Sequence, residues 1–208
     1  MLHPDTELRF INATIGYGVV ATRLIPRGTM TWVRDRLDQA FTPADINAFP
    51  AHYRETLFKY SFIDGRGNFV LCWDLARYIN HSCDPTCRSA GYDFEIAVRD
   101  VHPGEELTDD YGSLNLEYDF PCSCGAPQCR DVIRPRDLLV HADEWDRVVA
   151  EPFRLIPRVA QPLWPFCEEH AAIAAALEGR APIASVTENY VDVSPLLSAT
   201  RHAFPGTL

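Results

Sequence analysis

The chain has 208 residues, enough for one domain, or one domain with an appendage. Hydrophobic residues make up 47% and charged residues 23%, the balance of a globular chain that buries a core, which excludes a disordered tail or a collagen-like fibre. Acids outnumber bases 29 to 19, for a net charge of -10. That argues against a nucleic-acid binder with a basic face and leaves room for a basic partner. Seven cysteines are an odd number, which excludes a fully paired disulfide scaffold. The start of the chain has no basic segment followed by an apolar run, and no stretch approaches about 18 uninterrupted apolar residues. The expectation is an intracellular protein, cytoplasmic or nuclear, with no membrane segment. A reducing compartment favours free thiols or a metal over disulfides.

Residues 8–22 are rich in β-branched and aromatic types around two glycines, and read as strand, turn, strand. Pro26-Arg27-Gly28 is a turn. Residues 43–59 read as helix, interrupted by Pro50. Residues 60–72 read as a hairpin across Asp64-Gly65-Arg66-Gly67. Residues 93–98 alternate polar and apolar, the pattern of a half-buried strand. A turn at 102–105 precedes a short strand at 106–108, and residues 112–135 are polar and loop-like. From Arg136 the pattern becomes helical, over 137–150 and 168–179, with four prolines between. A β-rich body is thus followed by a loop segment and a helical tail.

Two clusters carry chemistry. Cys122, Cys124 and Cys129 lie in C-x-C-x4-C spacing on a chain turned by Gly125 and Pro127. Three thiolates so close converge on one ion, and zinc in structural sites takes four ligands. Cys72, Cys83, Cys87 and Cys167 are the candidates for the fourth; the alternative is a loop of surface thiols. The second cluster is Arg77-Tyr78-Ile79-Asn80-His81-Ser82-Cys83-Asp84-Pro85, polar groups beside an apolar strand. His81 there is a base, a metal ligand or a satisfied core histidine. Gly16-Tyr17-Gly18 lets a cofactor approach the backbone, but a plain turn needs the same residues.

In this order, Gly16-Tyr17-Gly18, Arg77 to Pro85, Glu106-Leu107-Thr108-Asp109-Asp110-Tyr111-Gly112 and the cysteine cluster resemble the SET-domain protein lysine methyltransferases with a post-SET segment. The resemblance covers about residues 8–134. It implies a SET domain over 8–112, a post-SET zinc-binding segment over 113–134, and a C-terminal helical extension over 135–208. The implied fold is mostly β with α. It is a β-clip of small curved sheets with a pseudoknot, one of the rare exceptions to unthreaded chains, plus a zinc loop and helical tail. The implied methyl donor is S-adenosylmethionine. By match of position, Gly16, Tyr17, Gly18, Arg77, Tyr78, Asn80 and His81 contact it, with Phe120 and Ile133 against its adenine. Tyr111 matches the active-site tyrosine, touching both cofactor and substrate, and Tyr60 resembles the second tyrosine of the lysine channel. Cys83 matches the cysteine that joins Cys122, Cys124 and Cys129 on a structural zinc.

The implied partner is a protein or peptide bearing a lysine, with neither direct nucleic-acid binding nor a membrane. Relatives carry Phe or Tyr two positions before the active-site tyrosine; here Asp109 stands there, so no methylation state is implied. Nine acids between residues 92 and 120 make either a face for a basic peptide or a solvated surface. The competing reading of the whole chain is a catalytically silent, zinc-stabilised module that binds basic peptides.

Overall fold

The computed structural model describes residues 1–193. Its first hairpin is β1 (Thr6–Asn12) against β2 (Gly16–Ala21). Next come β3 (Met30–Val33) and β4 (Gln39–Phe41). Two short helices follow, α1 (Pro43–Ala48) and α2 (Ala51–Tyr60). Thr42 and Asp45 cap α1 reciprocally, and Pro50 separates the pair because the residue before proline avoids helical backbone. The expected hairpin forms as β5 (Ser61–Ile63) and β6 (Phe69–Leu71), with Gly67 at φ +79 in its turn. Then come β7 (Asn80–His81), β8 (Cys87–Ser89), β9 (Phe94–Ala97) and β10 (Glu106–Asp109).

Residues 112–135 are not all loop. Two-residue strands β11 (Phe120–Pro121) and β12 (Val132–Ile133) pair and pin the cysteine segment between them. Helix α3 (Asp137–Leu155) runs five residues past the expected end and through Pro152. Its buried face, Leu138, Ala142, Trp145, Val149 and Phe153, repeats every three or four residues. That packing outweighs the backbone bond a proline removes. Helix α4 (His170–Leu177) follows. The last part of the expected helical extension, 194–208, lies outside the described residues.

The sheets order as β1-β2-β10-β7, β3-β9-β8, β4-β6-β5 and β11-β12. Strand β9 corrects the sequence pattern. It is central between β3 and β8, and all four of its residues are buried, Glu95 included. Alternation here does not mean one wet face, because the polar position faces the interior. Phe94 stacks with Tyr92, and Tyr92 with Phe153 of α3, at centroid separations of 5.4 and 5.5 Å. The extension is built into the body. Val186–Asn189 presses on Gly91, where a Cβ would lie 2.2 Å from the Ser185 carbonyl oxygen. The buried Asn115 amide donates to the Ile63 and Asn189 carbonyls and accepts from the Val191 N–H.

Candidate active site

Strand pairing brings three distant stretches together. β10 runs antiparallel to β2, with Leu107 opposite Val19, and parallel to β7, with Thr108 opposite Asn80 and Asp109 opposite His81. Gly16-Tyr17-Gly18, Asn80-His81 and Tyr111 therefore gather along one sheet. The Asn80 amide nitrogen donates to the Tyr17 carbonyl at 3.0 Å and to Glu106 Oε1 at 2.6 Å. A Cβ on Gly18 would lie 2.2 Å from that Glu106 oxygen, so any side chain there would push the Glu106 carboxylate off Asn80. At Gly16, φ +83, a Cβ would meet nothing within 4 Å: the turn faces open space.

His81 Nδ1 accepts the Tyr111 N–H at 3.1 Å, which places the ring proton on Nε2, 3.3 Å from Cys83 Sγ. Burial lowers the His81 pKa, against the pull of Asp110, so the ring is neutral. The Phe120 ring lies 5.7 Å from that of Tyr111 and 6.5 Å from that of His81. Ile133, fully buried, sits opposite Phe120 in the β11–β12 register. These residues offer backbone groups, an amide and an apolar wall. That donor set fits a nucleoside carrying an amino-acid moiety.

Beside this edge lies a cavity of about 150 Å³ lined by Trp32, Tyr60, Phe62, Ile79, Asp109 and Tyr111, among others. The two tyrosines expected in a lysine channel share it. The Tyr111 hydroxyl donates to the Ile79 carbonyl at 2.9 Å. Burial, with Asp109 and Glu106 adding, pushes its pKa up; it stays a protonated donor. Tyr60 packs on Tyr78 at 5.5 Å, and the Arg77 guanidinium lies 5.5 Å from the same ring. Asn189 of the extension also lines the cavity; nothing in its sequence context signalled that. Nor did the sequence signal Glu95, which lines the cavity beside Asp109.

The four expected cysteines converge. Cys83 Sγ is 3.8 Å and Cys129 Sγ 3.6 Å from Cys122 Sγ, while Cys124 Sγ accepts the Cys83 N–H at 3.4 Å. Zinc–sulfur bonds of about 2.3 Å place tetrahedral sulfurs about 3.8 Å apart, so the thiols fit that ion. Ligand atoms of His81, Cys83, Cys122 and Cys124 also lie within 4.8 Å of one another. His81, however, has one nitrogen occupied by Tyr111 and the other protonated, which makes it a donor to Cys83 rather than a ligand. Burial raises the Cys124 pKa, but hydrogen bonds from Cys83 and Ala126 outweigh it and bring it down to about 7. Cys87 is wholly buried and packs in the core.

Asp110 ties the site to the rest of the chain. It is 1% exposed. Its carboxylate accepts from Arg88 at 3.1 Å, from the Gly112 N–H at 3.1 Å, and from Arg130. Arg130 also reaches Asp137 of α3 at 3.3 Å, and its backbone N–H points at Cys83 Sγ. Arg88 and Arg130 both lie over the Trp145 ring, at 4.7 and 5.7 Å. The Tyr111 loop, the cysteine segment and α3 thus share one buried charge cluster.

The profile of the SET domain family matches residues 16–112. The histone-lysine N-methyltransferase TRX1 of Oryza sativa subsp. japonica is 44% identical over 66 residues, 28% of this chain and 6% of its own. The histone-lysine N-methyltransferase ash1 of Drosophila melanogaster is 31% identical over 147 residues, 62% of this chain and 6% of its own. A crystal structure of KRYPTONITE in complex with mCHG DNA and SAH matches with TM-score 0.43 and 26% identity, over 59% of this chain and 27% of that one. The chain thus spans a small fraction of the length of these relatives. The matched stretch, just under half of the chain, holds the glycine turn, the Asn80-His81 strand and the Tyr111 loop in one place, and that stretch is similar to the SET domain family.

Proposed function

We propose that this chain transfers a methyl group from S-adenosylmethionine to the side-chain amine of a lysine in a protein substrate. One observation carries the reading. Tyr60 and Tyr111 line one cavity together with Trp32 and Phe62, and Tyr111 also closes against the edge where Gly16-Tyr17-Gly18, Asn80, His81 and Phe120 meet. When bound, S-adenosylmethionine supplies an electrophilic sulfonium methyl group. Gly16, Tyr17, Gly18, Arg77, Tyr78, Asn80 and His81 hold it, with Phe120 and Ile133 along the adenine. Trp32, Tyr60 and Phe62 strip water from the lysine amine, which disfavours its charged form. The Tyr111 hydroxyl, fixed through Ile79, orients the nitrogen lone pair, and alignment of the reacting atoms supplies much of the rate.

A structural zinc on Cys83, Cys122, Cys124 and Cys129 would clamp the cysteine segment over the site and take no part in the chemistry. Seven unpaired cysteines support a reducing, intracellular setting. The acidic surface favours a basic substrate segment, and histone tails are one such class, since TRX1 and ash1 are named for histone lysines. The test is transfer of labelled methyl from S-adenosylmethionine to core histones and to a lysine-rich peptide pool. Tyr111→Phe is expected to lower transfer at least tenfold, as loss of an oriented hydroxyl does. Calorimetry that finds no S-adenosylmethionine binding would sink the reading and leave a peptide-binding module.

A further inference from the structure

Two buried carboxyl groups have no part in the reaction as described above. Glu95 stands at the middle of β9, opposite Trp32 of β3, and Asp109 ends β10; both line the cavity that Tyr60 and Tyr111 share. Glu95 is 9% exposed and Asp109 3%. Buried carboxylates are ordinarily paired with a cation, and among the described residues no salt bridge reaches this pair, which feels Arg88 only at longer range. The nearest guanidinium, Arg88, is bonded to Asp110 and covered by Trp145. Glu95 Oε2 and Trp32 Nε1 are buried without a hydrogen-bond partner, as is Ser61 Oγ, and all three residues line the same cavity. A cavity that keeps unpaired polar atoms on its wall is shaped for a polar group from outside.

We propose that Glu95 and Asp109 form the receptor for the substrate's ammonium group in the channel and take its proton. This rests on the methyl-transfer reading. Burial raises the pKa of both groups; Asp109 pushes Glu95 further up, while the hydrogen bond from Glu95 pulls Asp109 back against burial and Asp110: Glu95 is held well above its ordinary range, and Asp109 is brought to about 6. At neutral pH the pair therefore carries one proton, on Glu95, and one negative charge, on Asp109. Other charged or titratable groups face it. Arg88 and Cys87 lie on β8, Cys72 follows β6, and Asp110 and Tyr111 follow β10.

The step balances simply. An N–H bond of the ammonium breaks, its electron pair stays on nitrogen, and an O–H bond forms on Asp109. Both carboxyls are then neutral, the amine has its lone pair, and the proton returns to solvent before the next turnover. The substrate class follows. A lysine side chain, with several N–H bonds and a pKa near 10.4, can bind and give up a proton. An arginine side chain binds the same charge but keeps its proton, since its pKa exceeds about 12, and is a competitor rather than a substrate.

The experiment uses the full chain with Asp109→Asn and Glu95→Gln. For Asp109→Asn, kcat on the lysine peptide pool is expected to fall about 100-fold or more, the range of general-base losses. The acidic limb of the kcat/KM pH profile disappears, and S-adenosylmethionine affinity is unchanged. A second readout needs no turnover: n-butylammonium added to the wild-type protein shifts the 13C carboxyl resonances of Glu95 and Asp109, and binds at least tenfold more weakly to Asp109→Asn. Wild-type kcat and pH profile in a folded Asp109→Asn overturns the proposal while leaving methyl transfer intact. So does an absence of carboxyl shifts with butylammonium, a result that also decides the matter if Asp109→Asn does not fold. A wild-type chain that binds butylammonium yet transfers no methyl group refutes the reaction and not the receptor.

Discussion

The charge cluster at Asp110 gives the most exacting test of the fold around the site. Asp110→Asn keeps the shape of the side chain and removes one negative charge between two guanidinium groups. Breaking a buried ion pair by removing one partner costs about 3–5 kcal/mol. The two arginines do not share that cost equally. Arg130, its side chain 18% exposed, still has Asp137 at 3.3 Å. Arg88, its side chain 8% exposed, is left without a salt bridge, with the Trp145 ring and the more distant charge of Asp109. The loss should therefore fall near the lower end, about 3 kcal/mol. At about 2–4 °C per kcal/mol for a domain of this size, Tm should drop by about 6–12 °C. Urea unfolding followed by tryptophan fluorescence measures it directly. The double variant Arg88→Met, Asp110→Asn should be more stable than Asp110→Asn alone, because no unpaired charge stays buried. Glu178→Ala is the control. Its partner is Arg180, the two side chains are 60% and 61% exposed, and such pairs contribute about 0.2–1 kcal/mol at most. An Asp110→Asn protein within about 1 kcal/mol of wild type would refute the argument that this cluster is dry and interdependent.

Other expectations follow from single distances. Gly18→Ala puts a methyl group into the Asn80–Glu106 hydrogen bond, so S-adenosylmethionine affinity should fall at least tenfold by calorimetry while Tm moves little. Elemental analysis should find one zinc per chain, lost in Cys124→Ser along with protease resistance of residues 113–134; retention of both removes the thiols from the metal site. Asp109 gives a pH dependence of stability. Its pKa rises from an ordinary 3.8 to about 6 on folding, so the folded state holds the proton more tightly. The stability it confers is full below about pH 4 and is lost as pH rises to about 6, a penalty at neutrality of roughly 3 kcal/mol. Asp109→Asn should therefore be more stable than wild type at pH 7 in urea, and equal stability across pH 4–8 would contradict the burial of that charge.

Much of the site could be read from sequence because its residues are locally dense. Asn80-His81-Ser82-Cys83 and Glu106 to Gly112 are short runs whose order is as telling as their content, and the C-x-C-x4-C spacing brings three thiols close enough to suggest a shared ion. What escaped was set by tertiary context. Glu95 looked like the wet side of a half-buried strand, because alternation reports two faces and not what covers them. Asn189 reaches the cavity from 78 residues beyond Tyr111 in the numbering, through a segment with no motif. His81 could have been base, ligand or core residue. Two hydrogen bonds decided that, and neither is visible in one dimension. Pro152 inside α3 defied a rule of local backbone because five apolar residues on one face spoke more strongly.

The side-by-side run of β7 and β10 has a consequence for how the molecule assembles. A parallel pair cannot be closed by a tight turn. Everything between His81 and Glu106, the β8–β9 ribbon included, has to be in place before Asp109 can lie beside His81. That ladder is only two residue pairs long and β7 is half-buried, so it buries little apolar surface and opens at low cost. The candidate site thus sits on the youngest part of the fold. Newly made chains should acquire their hydrophobic core first and their competence last. Partial denaturation should erase activity before it loosens the β9–α3 packing, a separation visible as earlier amide exchange at Ser82 than at Ile96.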